Sequence, residues 1–171
     1  MIARPAADEY SPYYDTYISK VPEGNVVDIL RTQLHESARL LEQLTETQAA
    51  YRYAPGKWSL REVIGHLCDA ERIFAYRILC IARGETAPLP GFDEDSYARV
   101  SNVETRPMRA VTTEFAHIRA ATIALVEGLD EAAIGRRGNA NGKLITPRAL
   151  AYIIAGHERH HMGVIRERYL R

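Results

Sequence analysis

Hydrophobic positions recur at three- and four-residue spacing in four stretches of this chain. That period predicts four long amphipathic helices. In the first, Val26, Ile29, Leu30, Leu34, Ser37, Leu41 and Leu44 share a face, with Asn25 as N-cap and an end near Thr45. The second opens on Ser59-Leu60-Arg61-Glu62, a capping box in which the serine caps a backbone N–H and the glutamate reaches back. It turns Val63, Leu67, Ala70, Phe74, Ile78 and Ile81 inward and runs to about Arg83, where Gly84 suits the C-cap. The third starts at Thr105 or Arg106, before Pro107, a favoured first-turn residue. Its stripe is Met108, Val111, Phe115, Ile118, Thr122 and Leu125, and Gly128 lies near its end. The fourth has Thr146 as cap, Pro147 at the first helical position and an end near Arg168.

The segments between are less regular. Residues 48–57 contain Pro55-Gly56 and read as a loop. Residues 85–105 form a long connection in which Asp93 is placed to cap a short helix through Arg99. Residues 129–145 form a second loop, with Asn141-Gly142 as a turn signal compatible with a small hairpin. Residues 1–24 show neither helix period nor strand alternation. Their tyrosines (Tyr10, Tyr13, Tyr14 and Tyr17) make a strip expected to pack across the outside of the body. Two units follow: an irregular segment, 1–24, and a single bundle domain, 25–171. With no convincing set of strands, the fold class is all-α, a helix bundle.

Composition narrows the class without naming it. Apolar residues make up 46% and charged residues 26%, ordinary for a globular domain. The 22 basic and 22 acidic residues balance, so a generally basic nucleic-acid surface is not indicated. No run approaches the ~18 apolar residues of a membrane span. The start, Met1-Ile2-Ala3-Arg4-Pro5, lacks the apolar run of a secretory signal. Cys68 and Cys80 fall in one helix, roughly 18 Å apart by helical rise, too far for a disulfide. They are expected as reduced thiols of a cytoplasmic protein, with no nucleic-acid or membrane partner.

The histidines change the picture. Three of the six lie in His157-Glu158-Arg159-His160-His161. Taking His157 as zero, Leu150 falls near +20°, Ile153 near −40°, Ile154 near +60°, Val164 near −20° and His161 near +40°, at about 100° per residue. His157 and His161 therefore stand one turn apart in the middle of an apolar stripe, and His160 lies at its edge. Buried imidazole nitrogens without partners cost about 1–3 kcal/mol each. Either each is hydrogen-bonded to a tyrosine or carboxylate, or the pair grips a metal ion, the stronger reading for an i, i+4 pair. His66 sits on the second helix, roughly 40–80° from Val63, Ala70 and Phe74, at the inner border where it can lean into a cleft. It is the best third ligand, whereas His35 and His117 face outward. Glu158, about 100° off the ligand face, is expected to be solvated or paired with an arginine. Asp69 and Glu62 are candidate partners for a His66 N–H. Arg77 is a candidate for meeting an anionic substrate, and His160 for shuttling a proton. Cys68 is turned about 160° from His66 and is not expected to ligate.

The run Trp58-Ser59-Leu60-Arg61-Glu62-Val63-Ile64-Gly65-His66-Leu67-Cys68-Asp69-Ala70-Glu71-Arg72, followed by Ala155-Gly156-His157-Glu158-Arg159-His160-His161, resembles the DinB/YfiT-like superfamily. The loop Leu89-Pro90-Gly91-Phe92-Asp93-Glu94 is similar to this family's as well, and the likeness extends from about residue 25 to 168. The resemblance implies a four-helix bundle with a long crossover connection. It also implies a divalent metal held by His66, His157 and His161, with His160 a frequent histidine that is not counted as a ligand. It further implies a homodimer. Its relatives include thiol-dependent S-transferases and maleylpyruvate isomerases that use low-molecular-weight thiols.

A three-histidine site keeps positions open for water or substrate, the pattern of catalytic rather than structural sites. Zn²⁺ or Ni²⁺ suits such donors, and Fe²⁺ and Mn²⁺ are compatible with them. An ion there would acidify a bound water or thiol. The expectation is a metal-dependent enzyme acting on a small molecule, either as a thiol S-transferase or as a hydrolase. The alternatives are a non-catalytic bundle that binds metal or a small ligand, and a metal-free bundle whose histidines are hydrogen-bonded.

Overall fold

Helical turns begin earlier than the sequence pattern suggests. In the computed structural model, which describes residues 1–170, the amino-terminal segment holds two 3₁₀ turns, Ala7–Glu9 and Pro12–Tyr14, and a short helix α1 (Asp15–Ile18). Arg171, the last residue of the expected domain, lies outside the described residues. The long helix α2 (Val26–Leu41) follows and stops four residues before the expected Thr45. The reason is local: the Thr45 hydroxyl accepts the Gln48 N–H, and Gln48 reaches back to the Thr45 N–H. This second capping box starts a separate short helix, α3 (Glu46–Ala50), which runs into what reads as a loop from residue 48. Helix α4 (Leu60–Ala82) begins on the predicted Ser59–Glu62 box. Asp93 caps α5 (Glu94–Val100) as expected, its carboxylate 2.8 Å from the Ser96 nitrogen.

Helix α6 (Met108–Glu127) is followed by the short α7 (Glu131–Ile134). A two-stranded hairpin comes next, β1 (Gly138–Ala140) paired antiparallel with β2 (Lys143–Ile145). Its turn residues Asn141 and Gly142 both have positive φ, 53° and 70°, the conformation that an Asn-Gly pair favours. Helix α8 (Pro147–Val164) starts at the predicted Thr146 cap and loosens into a π turn over Ile165–Tyr169.

Two apolar clusters fix how the four long helices run. One gathers Val26 and Leu30 of α2, Phe74 and Ile78 of α4, Ile123 and Val126 of α6, and Leu150 and Ile153 of α8. The other gathers Leu41, Val63 and Leu67, Val111 and Phe115, and Met162 from the opposite ends of the same helices. Helices α2 and α8 thus point one way, and α4 and α6 the other. Each of α2 and α4 packs on both α6 and α8, so α2 and α4 face each other across a diagonal. An up-down-down-up order makes α4 and α6 parallel neighbours, which requires the long crossover at residues 83–107. No helix among the described residues is long and apolar enough to cross a membrane.

Candidate metal centre

Helices α4 and α8 are antiparallel neighbours, so the inner border of one meets the stripe of the other. His66 faces His157 and His161 across that seam. Nε2 of His157 lies 3.1 Å from Nε2 of His66 and 3.1 Å from Nε2 of His161. One nitrogen of each ring falls within 4.8 Å of the other two. A neutral imidazole has one N–H and one lone pair. Hydrogen bonding can therefore at best share one proton between two of these lone pairs. A cation satisfies all three at once. With metal–nitrogen bonds of about 2.0–2.1 Å, nitrogens at the corners of a tetrahedron stand about 3.3 Å apart, close to the spacing here. The donor set fits a divalent ion.

Electrostatics favour the neutral, ligating form. Burial pushes His66 down to about 4, opposed in part by the charges of Glu94 and Asp95. Burial pushes His161 down to about 3, with His66 and His160 adding to the shift. His157, the most enclosed of the three, is held well below the ordinary histidine value by burial, by the neighbouring histidines and by the Arg119 charge.

The histidines form one end of a cleft of about 240 Å³ with aromatic walls. Trp58 lies 5.0 Å from His66 between ring centroids, Tyr17 lies 5.2 Å from His157, and Phe74 lies 6.0 Å from His157. Tyr17 corrects a sequence expectation, because the tyrosine strip does not merely cover the outside. Its backbone crosses α8 at Gly156, where a Cβ would stand 2.5 Å from the Tyr17 carbonyl carbon. The strap is tied down there by Arg4, which donates to the carbonyls of Ile18 at 2.8 Å and Val21 at 2.5 Å. A glycine inside a helical pattern and next to His157 was the available signal for this crossing.

Arg77 reaches the other end of the cleft. The residue is 3% exposed, its Nη2 donates to the Pro90 carbonyl at 2.6 Å, and its guanidinium carbon sits 5.8 Å from the Phe74 ring centroid. Burial lowers its pKa, but arginine stays charged at neutral pH.

Beneath the site runs a polar layer that the sequence reading missed. Arg119 of α6, fully buried, donates through Nε and Nη2 to the two oxygens of Glu71 on α4, each at 2.8 Å, and through Nη1 to Glu158 on α8. Ser37 of α2 donates to the other oxygen of Glu158 at 2.5 Å. Of the two expectations for Glu158, the arginine pair is present and the solvated position is not. The residue is 1% exposed because the strap, α2 and α4 together enclose α8 and the Arg119 side chain reaches it from α6.

The other candidates separate cleanly. His160 is half-buried and lines the cleft, its ring 5.0 Å from His161 and 5.7 Å from Tyr17. His35 and His117 are exposed, as expected. Neither Glu62 nor Asp69 is hydrogen-bonded to His66: Glu62 serves the capping box and pairs with Arg52, and Asp69 lies 3.8 Å from Arg72. Cys68 is buried with a thiol pushed up to about 12, and both cysteines are free.

Comparison with known proteins agrees with this architecture. YfiT from Bacillus subtilis, described as a probable metal-dependent hydrolase with an unusual four-helix bundle topology, superposes with a TM-score of 0.72 at 21% identity. The match covers 95% of this chain and 89% of that one. A mycothiol-dependent maleylpyruvate isomerase superposes with a TM-score of 0.66 at 15% identity over 80% of this chain, which spans only 58% of the isomerase. No curated protein matches the sequence. The family model of the DinB superfamily matches residues 29–165, and the chain belongs to that superfamily.

Proposed function

We propose that this protein is a divalent-metal-dependent enzyme in which His66, His157 and His161 hold the ion, with Zn²⁺ or Ni²⁺ the best suited. The observation that carries the reading is the convergence of three neutral Nε2 atoms at the end of an enclosed cleft. An ion held there supplies Lewis acidity that brings the pKa of a water or thiol towards neutrality. The chain's own groups do the rest. His160 is kept neutral by burial and by Lys20, so one of its ring nitrogens can accept a proton at pH 7. Trp58, Phe74 and Tyr17 take the apolar part of a small substrate and exclude bulk water. With water as nucleophile the reaction is a hydrolysis, and the description of YfiT supports that reading. A low-molecular-weight thiol as nucleophile makes the protein an S-transferase, and the thiol dependence of the isomerase supports that second reading.

The test is elemental analysis of protein purified without a nickel column, before and after addition of Zn²⁺ or Ni²⁺. One ion per chain is expected, lost in His161→Ala and kept in His117→Ala. Absence of stoichiometric ion after both additions would sink the proposal. Ester hydrolysis and thiol conjugation, assayed on the same preparations, then separate the two reactions.

A further inference from the structure

Among the described residues, Arg77 is a buried cation without a counter-ion. Among these residues its one hydrogen bond is to the Pro90 carbonyl, and no aspartate or glutamate forms an ion pair with it. An arginine has five N–H donors, so most of its hydrogen-bonding capacity is unused while its charge is desolvated. Glu94, the acidic residue of the cleft lining, is exposed and acts on His66 instead. Arg77 lies eleven residues beyond His66 on α4, three turns on and about 20° away in phase, with about 16 Å of rise between them. Helical side chains lean towards the helix N-terminus. Arg77 accordingly leans back over Phe74, into the cleft and towards the histidines.

We propose that Arg77 is the anion-recognition residue of this cleft, and that the substrate is a small, partly aromatic molecule bearing a carboxylate remote from its reacting group. The planar guanidinium offers a carboxylate two parallel N–H bonds. Phe74 and Trp58 line the path from that carboxylate to the imidazoles. The inference rests on the cleft being the substrate site, but it does not require the ion to be bound.

The probes are 3-phenylpropanoate and its neutral isostere 3-phenylpropanamide, titrated calorimetrically into zinc-loaded protein and into protein stripped of metal. A hydrogen bond to a charged group is worth enough for the acid to bind about tenfold or more tighter than the amide. This preference is expected in both forms of the protein. Arg77→Met abolishes the preference, bringing acid and amide to similar affinities, and the residual binding of both shows that the cleft is intact. Arg77→Lys, which keeps the charge but not the fork, retains part of the preference. Equal binding of acid and amide by stripped wild-type protein overturns the proposal without recourse to any variant, as does failure of both to bind at millimolar concentration. A preference that vanishes with the metal and survives Arg77→Met assigns the carboxylate to the ion, so the Arg77 inference falls and the metalloenzyme reading stands. A preference that depends on Arg77 in protein that takes up no ion has the opposite meaning.

Discussion

Replacing Gly156 with alanine tests whether the amino-terminal strap is a wall of the cleft. The new Cβ would lie 2.5 Å from the Tyr17 carbonyl carbon, with the carbonyl oxygen nearer still, whereas ordinary contact begins at 3.4 Å. Strap or helix must give by about 0.9 Å to clear the carbon and by more to clear the oxygen, and the obstacle is backbone rather than a flexible side-chain end. That backbone is held by Arg4 and, further along, by the Tyr152 hydroxyl, which donates to the Gly24 carbonyl at 2.9 Å. Overpacking costs about 1–3 kcal/mol. Replacing a mid-helix glycine with alanine returns about 1 kcal/mol. With backbone as the obstacle the cost falls at the upper end, for a net loss of about 2 kcal/mol. Gly163 on the same helix is the control, since its Cβ would meet nothing within 4 Å. Gly163→Ala is expected to gain about 0.4–1 kcal/mol. Urea denaturation of the metal-free proteins reads both changes. Competition with a chelator then reads zinc affinity, expected to weaken only in Gly156→Ala because Tyr17 moves away from His157. If Gly156→Ala proves as stable as Gly163→Ala, the strap does not sit on α8 and Tyr17 is no wall of the site.

Two further outcomes follow from the buried charges. Arg119→Met leaves Glu71 and Glu158 facing each other without a cation; removing one partner of a buried pair costs about 3–5 kcal/mol. The urea midpoint should fall accordingly, and a midpoint equal to wild type would show that the layer carries no stability. The metal-free protein should also weaken as pH falls from about 6.5 towards 4. The folded histidines are held low, His66 at about 4 and His161 at about 3, while the unfolded chain takes up protons near the ordinary value of 6.5. The unfolded state therefore binds more protons in that window, and each histidine removes up to about 1.4 kcal/mol per pH unit. Above that window this cause contributes no slope, and a flat profile between pH 7 and pH 5 would refute the burial of the three rings.

Helical phase reads a side chain's direction but not what lies beyond it. His157 and His161 point inward as the 100° rule requires, because α8 is regular from Pro147 to Val164. His66 leans from its stripe border for the same reason. The rule also assumes that one face of a helix is wet, and over residues 149–158 every residue of α8 is buried. The solvated position that phase allows Glu158 therefore does not exist. Its partners Ser37 and Arg119 come from helices far away in sequence. A signal was nonetheless present. Arg119 lies about 40° from Phe115 and 60° from Thr122, and Glu71 about 40° from Leu67, so both charges fall on apolar stripes. A cation on one stripe and an anion on another is a pairing that phase alone would have offered.

The same layer explains how a three-helix-turn seam is kept in register. Apolar packing between α4 and α8 would tolerate a slip of one turn, about 5.4 Å, with modest loss. Such a slip would carry His66 away from His157. Arg119 does not allow it, because one guanidinium must meet Glu71 on α4 and Glu158 on α8 together, while Ser37 holds Glu158 from α2. The four helices are thus bound at one level, and the directional bonds favour this order of neighbours over others that the apolar stripes alone would accept. Glu158 is the residue after His157, so the bond that fixes the register acts one position from the histidine it positions. Specificity of the fold and geometry of the site are set by the same few buried charges.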